Sequence, residues 1–125
     1  MTWLADPRIA FLAGDATRLG ETLSPPMLAA LPHPWLVVED SAHTYEATLA
    51  ALRFFAEATT AGDVVVIEDG VLSDLGMDAA YDGGPNRALA EFLETAPGVF
   101  RVLTPYCDMF GVNATYNPNG YLLRI

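Results

Sequence analysis

The sequence predicts an α/β domain built on a mostly parallel sheet that finishes with an antiparallel hairpin. Three observations carry that reading. Short apolar runs rich in Val and Ile recur without the period-two alternation of a half-solvated sheet. A stretch with helical spacing joins two of them, and the tail is dense in turn-forming residues.

In chain order, "IAFLA" (Ile9 to Ala13) reads as a buried strand. Residues 14 to 34 are interrupted by Gly20, Pro25, Pro26, Pro32 and Pro34, which leaves room for a short helix around Met27 to Leu31. "LVVE" (Leu36 to Glu39) and "VVVIE" (Val64 to Glu68) read as further buried strands. Between them, "TYEATLAALRFFAEA" repeats Tyr45, Leu49, Leu52 and Phe55 or Ala56 at helical spacing, with Ser41 or Thr44 available as its cap. A strand, helix and strand in that order make a βαβ unit, so the two strands are expected parallel with a right-handed crossover.

Residues 70 to 84 form an acidic, glycine-bearing loop with Asp74, Asp78 and Asp82, longer than most connections in a compact domain. It fits an active-site lid or a mobile surface insertion. "GGPNRALAEFLETAPG" follows as a second helix, with Pro85 in its first turn, Leu89, Phe92 and Leu93 on one face, and Pro97-Gly98 as its stop. "VFRVL" and "GVNATYNPNGYLLRI" read as the closing strands, the last two joined by the turn Asn117-Pro118-Asn119-Gly120.

Composition narrows the class. A chain of 125 residues, 52% of them apolar, is one folded domain rather than a disordered segment. Six arginines, no lysine and sixteen acids give a net charge of -10, which repels a phosphate backbone and disfavours nucleic acid as a partner. No run reaches the roughly 20 apolar residues of a membrane span, and the first residues lack the pattern of a secretory leader. Cys107 is a single cysteine without an internal partner. A soluble, cytoplasmic protein is the expectation.

The chemistry concentrates at strand ends. Open α/β sheets place their sites beyond the carboxyl ends of the strands. Asp40 and the Glu68-Asp69 pair stand there on two consecutive strands, about 4.8 Å apart if these are neighbours. Two adjacent buried negative charges are costly unless something cationic compensates. A hard divalent ion such as Mg²⁺ takes oxygen ligands of this kind and keeps positions for substrate oxygens. Adjacent residues of a strand point oppositely, so Glu68 and Asp69 share an ion only if the backbone turns at Gly70. The competing reading has these acids capping the following helices. His43, three residues after Asp40, is placed either as a general base near neutral pH or as a structural residue of the helix start. His33, between two prolines, reads as loop.

The segments "VVEDSAHTYEATLAALRFFAEATTAGDVVVIEDG", "GGPNRALAEFL" and "TYNPNGYLLRI" resemble, in order and spacing, the cephalosporin hydroxylase and rhamnosyl O-methyltransferase family. The resemblance runs from about Leu36 to Ile125. It is most specific at Asp-Ser-x-His (40 to 43), Glu-Asp (68 and 69) and Asn-Pro-x-Gly-Tyr-Leu-x-Arg (117 to 124). It implies a Rossmann-like, class I S-adenosylmethionine (SAM) methyltransferase sheet and a magnesium-dependent O-methyltransferase acting on a hydroxyl of a sugar or other small metabolite.

By that resemblance Asp40, Glu68 and Asp69 match the magnesium ligands and His43 the family histidine, as base or support. "FLAGDAT" is a weaker match that places Asp15 and Ala16 near the adenine of SAM. The family's glycine-rich loop and the acidic end of its second strand have no counterpart here, so the sheet is expected to lack its first two strands. An enzyme whose sheet is completed by an N-terminal segment is one expectation. The other is a remnant or subunit that binds metal or another chain without SAM turnover. In either case the chain is expected to self-associate, or to close its sheet with Ile9 to Ala13 beside Leu36 to Glu39.

Overall fold

The computed structural model describes residues 6–125; the first five, on which part of the leader reading rests, lie outside the described residues. The elements are α1 (Leu19–Thr22), α2 (Pro25–Ala29), β1 (Leu36–Glu39), α3 (Tyr45–Ala58), β2 (Val64–Ile67), α4 (Gly84–Thr95), β3 (Phe100–Val102), α5 (Thr104–Cys107) and β4 (Tyr121–Arg124). No helix among the described residues is long and apolar enough to cross a membrane.

The βαβ unit forms as its pattern dictates. β1 and β2 pair in parallel with Leu36 opposite Val64 and Glu39 opposite Ile67. Thr44 caps α3, its hydroxyl oxygen accepting from the Ala47 N–H at 3.2 Å, so the crossover starts where a capping residue allows. Leu49 and Leu52 of α3 pack with Ala88, Leu89 and Phe92 of α4 over Val65, Ile67, Phe100 and Leu122 of the sheet. One apolar stripe from each helix thus covers one face of the sheet.

The sheet itself is mixed rather than mostly parallel. Its order is β1-β2-β4-β3, with β4 antiparallel to both β2 and β3. The turn at 117 to 120 is present, the Gly120 N–H donating to the Asn117 carbonyl at 2.8 Å. Its upstream arm is not a strand. The Asp108 carboxylate accepts from the Asn113 N–H, and the Asn113 side chain bonds the Asn119 N–H and amide, so this arm coils into successive turns. β4 therefore finds its partners in β2 and β3 instead of in a hairpin arm.

The expected strand Ile9 to Ala13 is also absent. Ile9, Phe11 and Leu12 are exposed, and the run has no ladder partner among the described residues. A run of apolar residues is only a strand when a neighbour takes its N–H and C=O groups. It does not lie beside β1 in a ladder, and β1 stands at the edge. Trp35 and Glu39 direct their carbonyls to β2, so Leu36 and Val38 present theirs outward. Their side chains lie on the sheet face away from the helices, where both are exposed. Four-residue α5 and its Tyr106 flank a groove on that face, lined also by Leu36, Val64, Val66 and Tyr121.

A buried carboxylate locks the entry to β1 and β2. Asp63 is fully buried and accepts from the Trp35 N–H at 2.7 Å, the Thr60 N–H at 2.8 Å and the His33 ring at 2.8 Å. His33 lies in the loop before β1, as read, and its ring stacks on Trp35 with ring centroids 4.2 Å apart. Burial pushes the Asp63 carboxyl up, but the N–H groups of Thr60 and Trp35 and the His33 ring outweigh it and hold it below its ordinary 3.8.

A lowered folded-state pKa stabilises the fold above the unfolded value of 3.8 and ceases to do so as pH falls through the lowered one. Asp63→Ala leaves the Trp35 and Thr60 N–H groups without their acceptor and should destabilise the chain by about 2 to 4 kcal/mol at pH 7. Urea unfolding of both proteins from pH 7 down to acid should show that gap narrowing only below pH 3.8. A gap that is constant with pH would remove the carboxylate from this role.

Candidate metal centre

Two strand ends and one loop build the site. At the end of β1, Glu39 turns inward and is buried, its carboxylate accepting from the Ser41 N–H at 3.1 Å, the Ser41 hydroxyl, and the Thr48 hydroxyl of α3 at 3.1 Å. A buried acid so supplied with donors needs no metal. It pins the turn that carries Asp40 out into solvent and His43 back over the sheet end. His43 takes a left-handed backbone conformation at φ 57°, and its ring meets Tyr81 edge-on at 6.1 Å. Tyr81 comes from the loop 70 to 84, which folds into two 3-10 turns (Gly70–Leu72 and Asp78–Tyr81) against the site.

At the end of β2 the chain turns sharply. Asp69 is left-handed at φ 59° and ψ 22°, and its N–H donates to the Asn117 side-chain oxygen at 3.1 Å. Gly70 lies so tightly against the Asn86 side chain and Pro118 that a Cβ there has no room. The backbone thus does turn after β2, but the left-handed residue is Asp69 and not Gly70.

The outcome is a convergence of three side chains. Ligand atoms of Asp40, His43 and Asp69 all lie within 4.8 Å of one another, with His43 Nδ1 at 3.4 Å from Asp69 Oδ2. His43 and Asp69 are about one-third exposed and Asp40 is open to solvent. An octahedral ion with ligands at about 2.1 Å brings neighbouring donors to roughly 3 Å, which small side-chain rotations reach from here. The donor set fits a divalent cation: two carboxylates supply the charge, and the imidazole broadens the range toward Mn²⁺ and Zn²⁺.

Glu68 is outside this group of three. Its N–H still bonds the Glu39 carbonyl at 3.0 Å in the ladder, and neighbouring strand residues face opposite ways. Asp15 accepts from the Thr17 N–H and hydroxyl and pairs with Arg18, so its carboxylate holds its own turn. Ala16 lines a cleft of about 290 Å³ with Leu19, Val38, Asp40, Ser41 and Phe55, beside the convergence. Tyr81, Thr48 and Asn117 are the site residues that sequence reading did not single out. Only Asn117 had a signal, its place in the turn motif.

Two comparisons with known proteins report matches. The family described as Rhamnosyl O-methyltransferase/CmcI matches residues 7–125. A curated protein of Mycobacterium leprae (strain TN), "Rhamnosyl O-methyltransferase", is 28% identical over 93 residues, 74% of this chain and 40% of that protein. The match thus covers 40% of the length of that relative. No solved structure matches the chain.

The close approach of the 117 to 120 turn to β2 makes Gly120 a sensitive position. An added methyl would collide with the Ile67 carbonyl, although Gly120 has no left-handed backbone to strain. Gly120→Ala should destabilise by about 1 to 3 kcal/mol through overpacking alone. Its thermal midpoint should fall well below that of Asp74→Ala, a substitution at an exposed position of the loop 70 to 84. Equal midpoints would mean that the turn is not clamped against β2.

Proposed function

The chain belongs to the Rhamnosyl O-methyltransferase/CmcI family, and from that premise we propose that it takes part in metal-dependent methyl transfer from SAM to a hydroxyl of a sugar or other small metabolite. The observation that carries this is the convergence of Asp40, His43 and Asp69 at the carboxyl ends of the two parallel strands. In open α/β sheets that is where ligands bind.

In this reading Asp40 and Asp69 hold a divalent ion, with His43 as the third protein ligand. A bound ion there would lower the pKa of an acceptor hydroxyl and neutralise its alkoxide. The residues then divide the remaining work. Asp40, exposed, keeps one side of the site accessible to an acceptor, while Tyr81 shields the imidazole of His43. The cleft along Ala16, Val38 and Ser41 is the place for the adenine of SAM, with Ala16 in contact and Asp15 stiffening the turn behind it. Residues for the methionine end of SAM are not among those the sequence offers, so donor binding by this chain alone is expected to be weak.

A second reading has its own support. The outward edge of β1 and exposed Leu36 and Val38 suit a subunit that works only when another strand, from a second copy or an N-terminal segment, completes the sheet. Light scattering of the purified chain distinguishes a monomer from that assembly.

Calorimetry with Mn²⁺ and Mg²⁺ tests the metal. Asp40→Asn and Asp69→Asn should each abolish saturable binding, and Glu68→Gln should leave it within about threefold. His43→Ala should weaken Mn²⁺ more than Mg²⁺, because imidazole favours the former. Loss of binding in Glu68→Gln with retention in His43→Ala would restore the three-carboxylate site that the sequence expects. No binding of either ion by the unaltered chain would end the metal reading.

A further inference from the structure

The Asn117-Pro118-Asn119-Gly120 turn has a role that chain reversal alone does not require. Its Asn117 is buried, at 5% exposure, and every polar atom of its side chain is used. Oδ1 accepts from the Asp69 N–H at 3.1 Å, and Nδ2 donates to the Tyr121 hydroxyl at 3.3 Å. Its own N–H bonds Thr115 Oγ1 at 3.2 Å, and its carbonyl closes the turn at Gly120.

The neighbouring bonds show what this amide replaces. The Ile67 N–H donates to the Gly120 carbonyl at 2.8 Å, and the Val71 N–H to the Tyr116 carbonyl at 3.0 Å. Between them, where the β4 ladder has already turned away, the Asp69 N–H finds no main-chain carbonyl. The Asn117 side chain supplies the missing acceptor. Asp69 sits in a left-handed conformation that a non-glycine residue keeps only when its surroundings fix it. One buried amide thus holds the backbone of the residue whose carboxylate faces His43.

We propose that Asn117 is the positioning residue of the metal centre, setting the Asp69 backbone so that its carboxylate meets Asp40 and His43. The metal part rests on the reading under Proposed function, whereas the backbone part does not. Groups that orient a ligand typically change metal affinity 10- to 100-fold when removed.

The test uses the full chain and two readouts: Mn²⁺ affinity by electron paramagnetic resonance, and hydrogen exchange of individual amides by NMR. Asn117→Ala should lower Mn²⁺ affinity at least about tenfold and expose the Asp69 amide to exchange, with the Val65 and Leu122 amides still protected. Asn117→Asp, which keeps the acceptor, should retain both. Tyr121→Phe removes the other bond of the amide and should change Mn²⁺ affinity less than threefold. If the unaltered chain binds no Mn²⁺, the metal reading falls, and Asp69 amide exchange alone decides the positioning. Should Asn117→Ala not fold, the unaltered chain still decides: an Asp69 amide that exchanges like an open loop overturns the proposal. So does an Asn117→Ala protein that matches the unaltered chain in both readouts, or an Asn117→Asp protein that behaves like Asn117→Ala.

Discussion

The position of β2 is the constraint on which the rest depends. It is the strand with a parallel neighbour on one side and an antiparallel neighbour on the other. Parallel pairing with β1 brings two carboxyl ends to the same edge of the sheet, so Asp40 and Asp69 arrive side by side although 29 positions separate them in the chain. Antiparallel pairing with β4 brings the start of β4, and the turn before it, to that same edge. Acids from one side and a clamp from the other meet there because β2 is in the middle.

Much of this was legible, and the limits follow a rule. Continuous Val-rich runs and the repeat of Tyr45, Leu49 and Leu52 specify the βαβ unit because they encode burial locally. Asp40 and Asp69 were legible for the same reason: a charge ending an apolar strand has nowhere else to be than the sheet edge. What was not legible is pairing. "IAFLA" has the composition of a buried strand and lies exposed, because burial needs a partner that composition does not name. The arm 111 to 116 looked like half of a hairpin, yet side-chain bonds of Asp108 and Asn113 fold it into turns. His33 is the loop residue its prolines suggest, but its bond to buried Asp63, thirty residues later, has no local signal. In each case the deciding bond is long-range or made by a side chain, and periodicity carries neither.

The two faces of the sheet are unequal, and this bears on the kind of object the chain is. On one face α3 and α4 bury Val65, Ile67 and Leu122 almost completely. On the other, α5 is one turn long, and Leu36 and Val38 remain exposed beside an edge that has no ladder partner among the described residues. Sheets in α/β folds are ordinarily covered on both faces. A net charge of -10 works against simple self-association through this surface, since two such chains repel. Any partner must therefore supply enough apolar contact and ladder bonding to overcome that repulsion, or bring positive charge of its own.

The same charge argument bears on how the cluster of Asp40, His43 and Asp69 holds together. Two carboxylates within 4.8 Å of each other repel by at least about 1 kcal/mol in water-like surroundings and at least about 3.5 kcal/mol at an effective dielectric near 20. Asp40 is open to solvent and Asp69 about one-third exposed, which puts the repulsion nearer the smaller figure. Glu39, by contrast, is buried, and it is the acid that the fold furnishes with three donors of its own. The chain thus supplies donors to the two carboxylates it buries, Glu39 here and Asp63 at the other end of the strands. Asp40 and Asp69 lie nearer the surface, where repulsion is small and a cation can reach them. The register of β1, β2 and β4 therefore rests on their ladder bonds and on the buried Glu39, not on any ion at this edge.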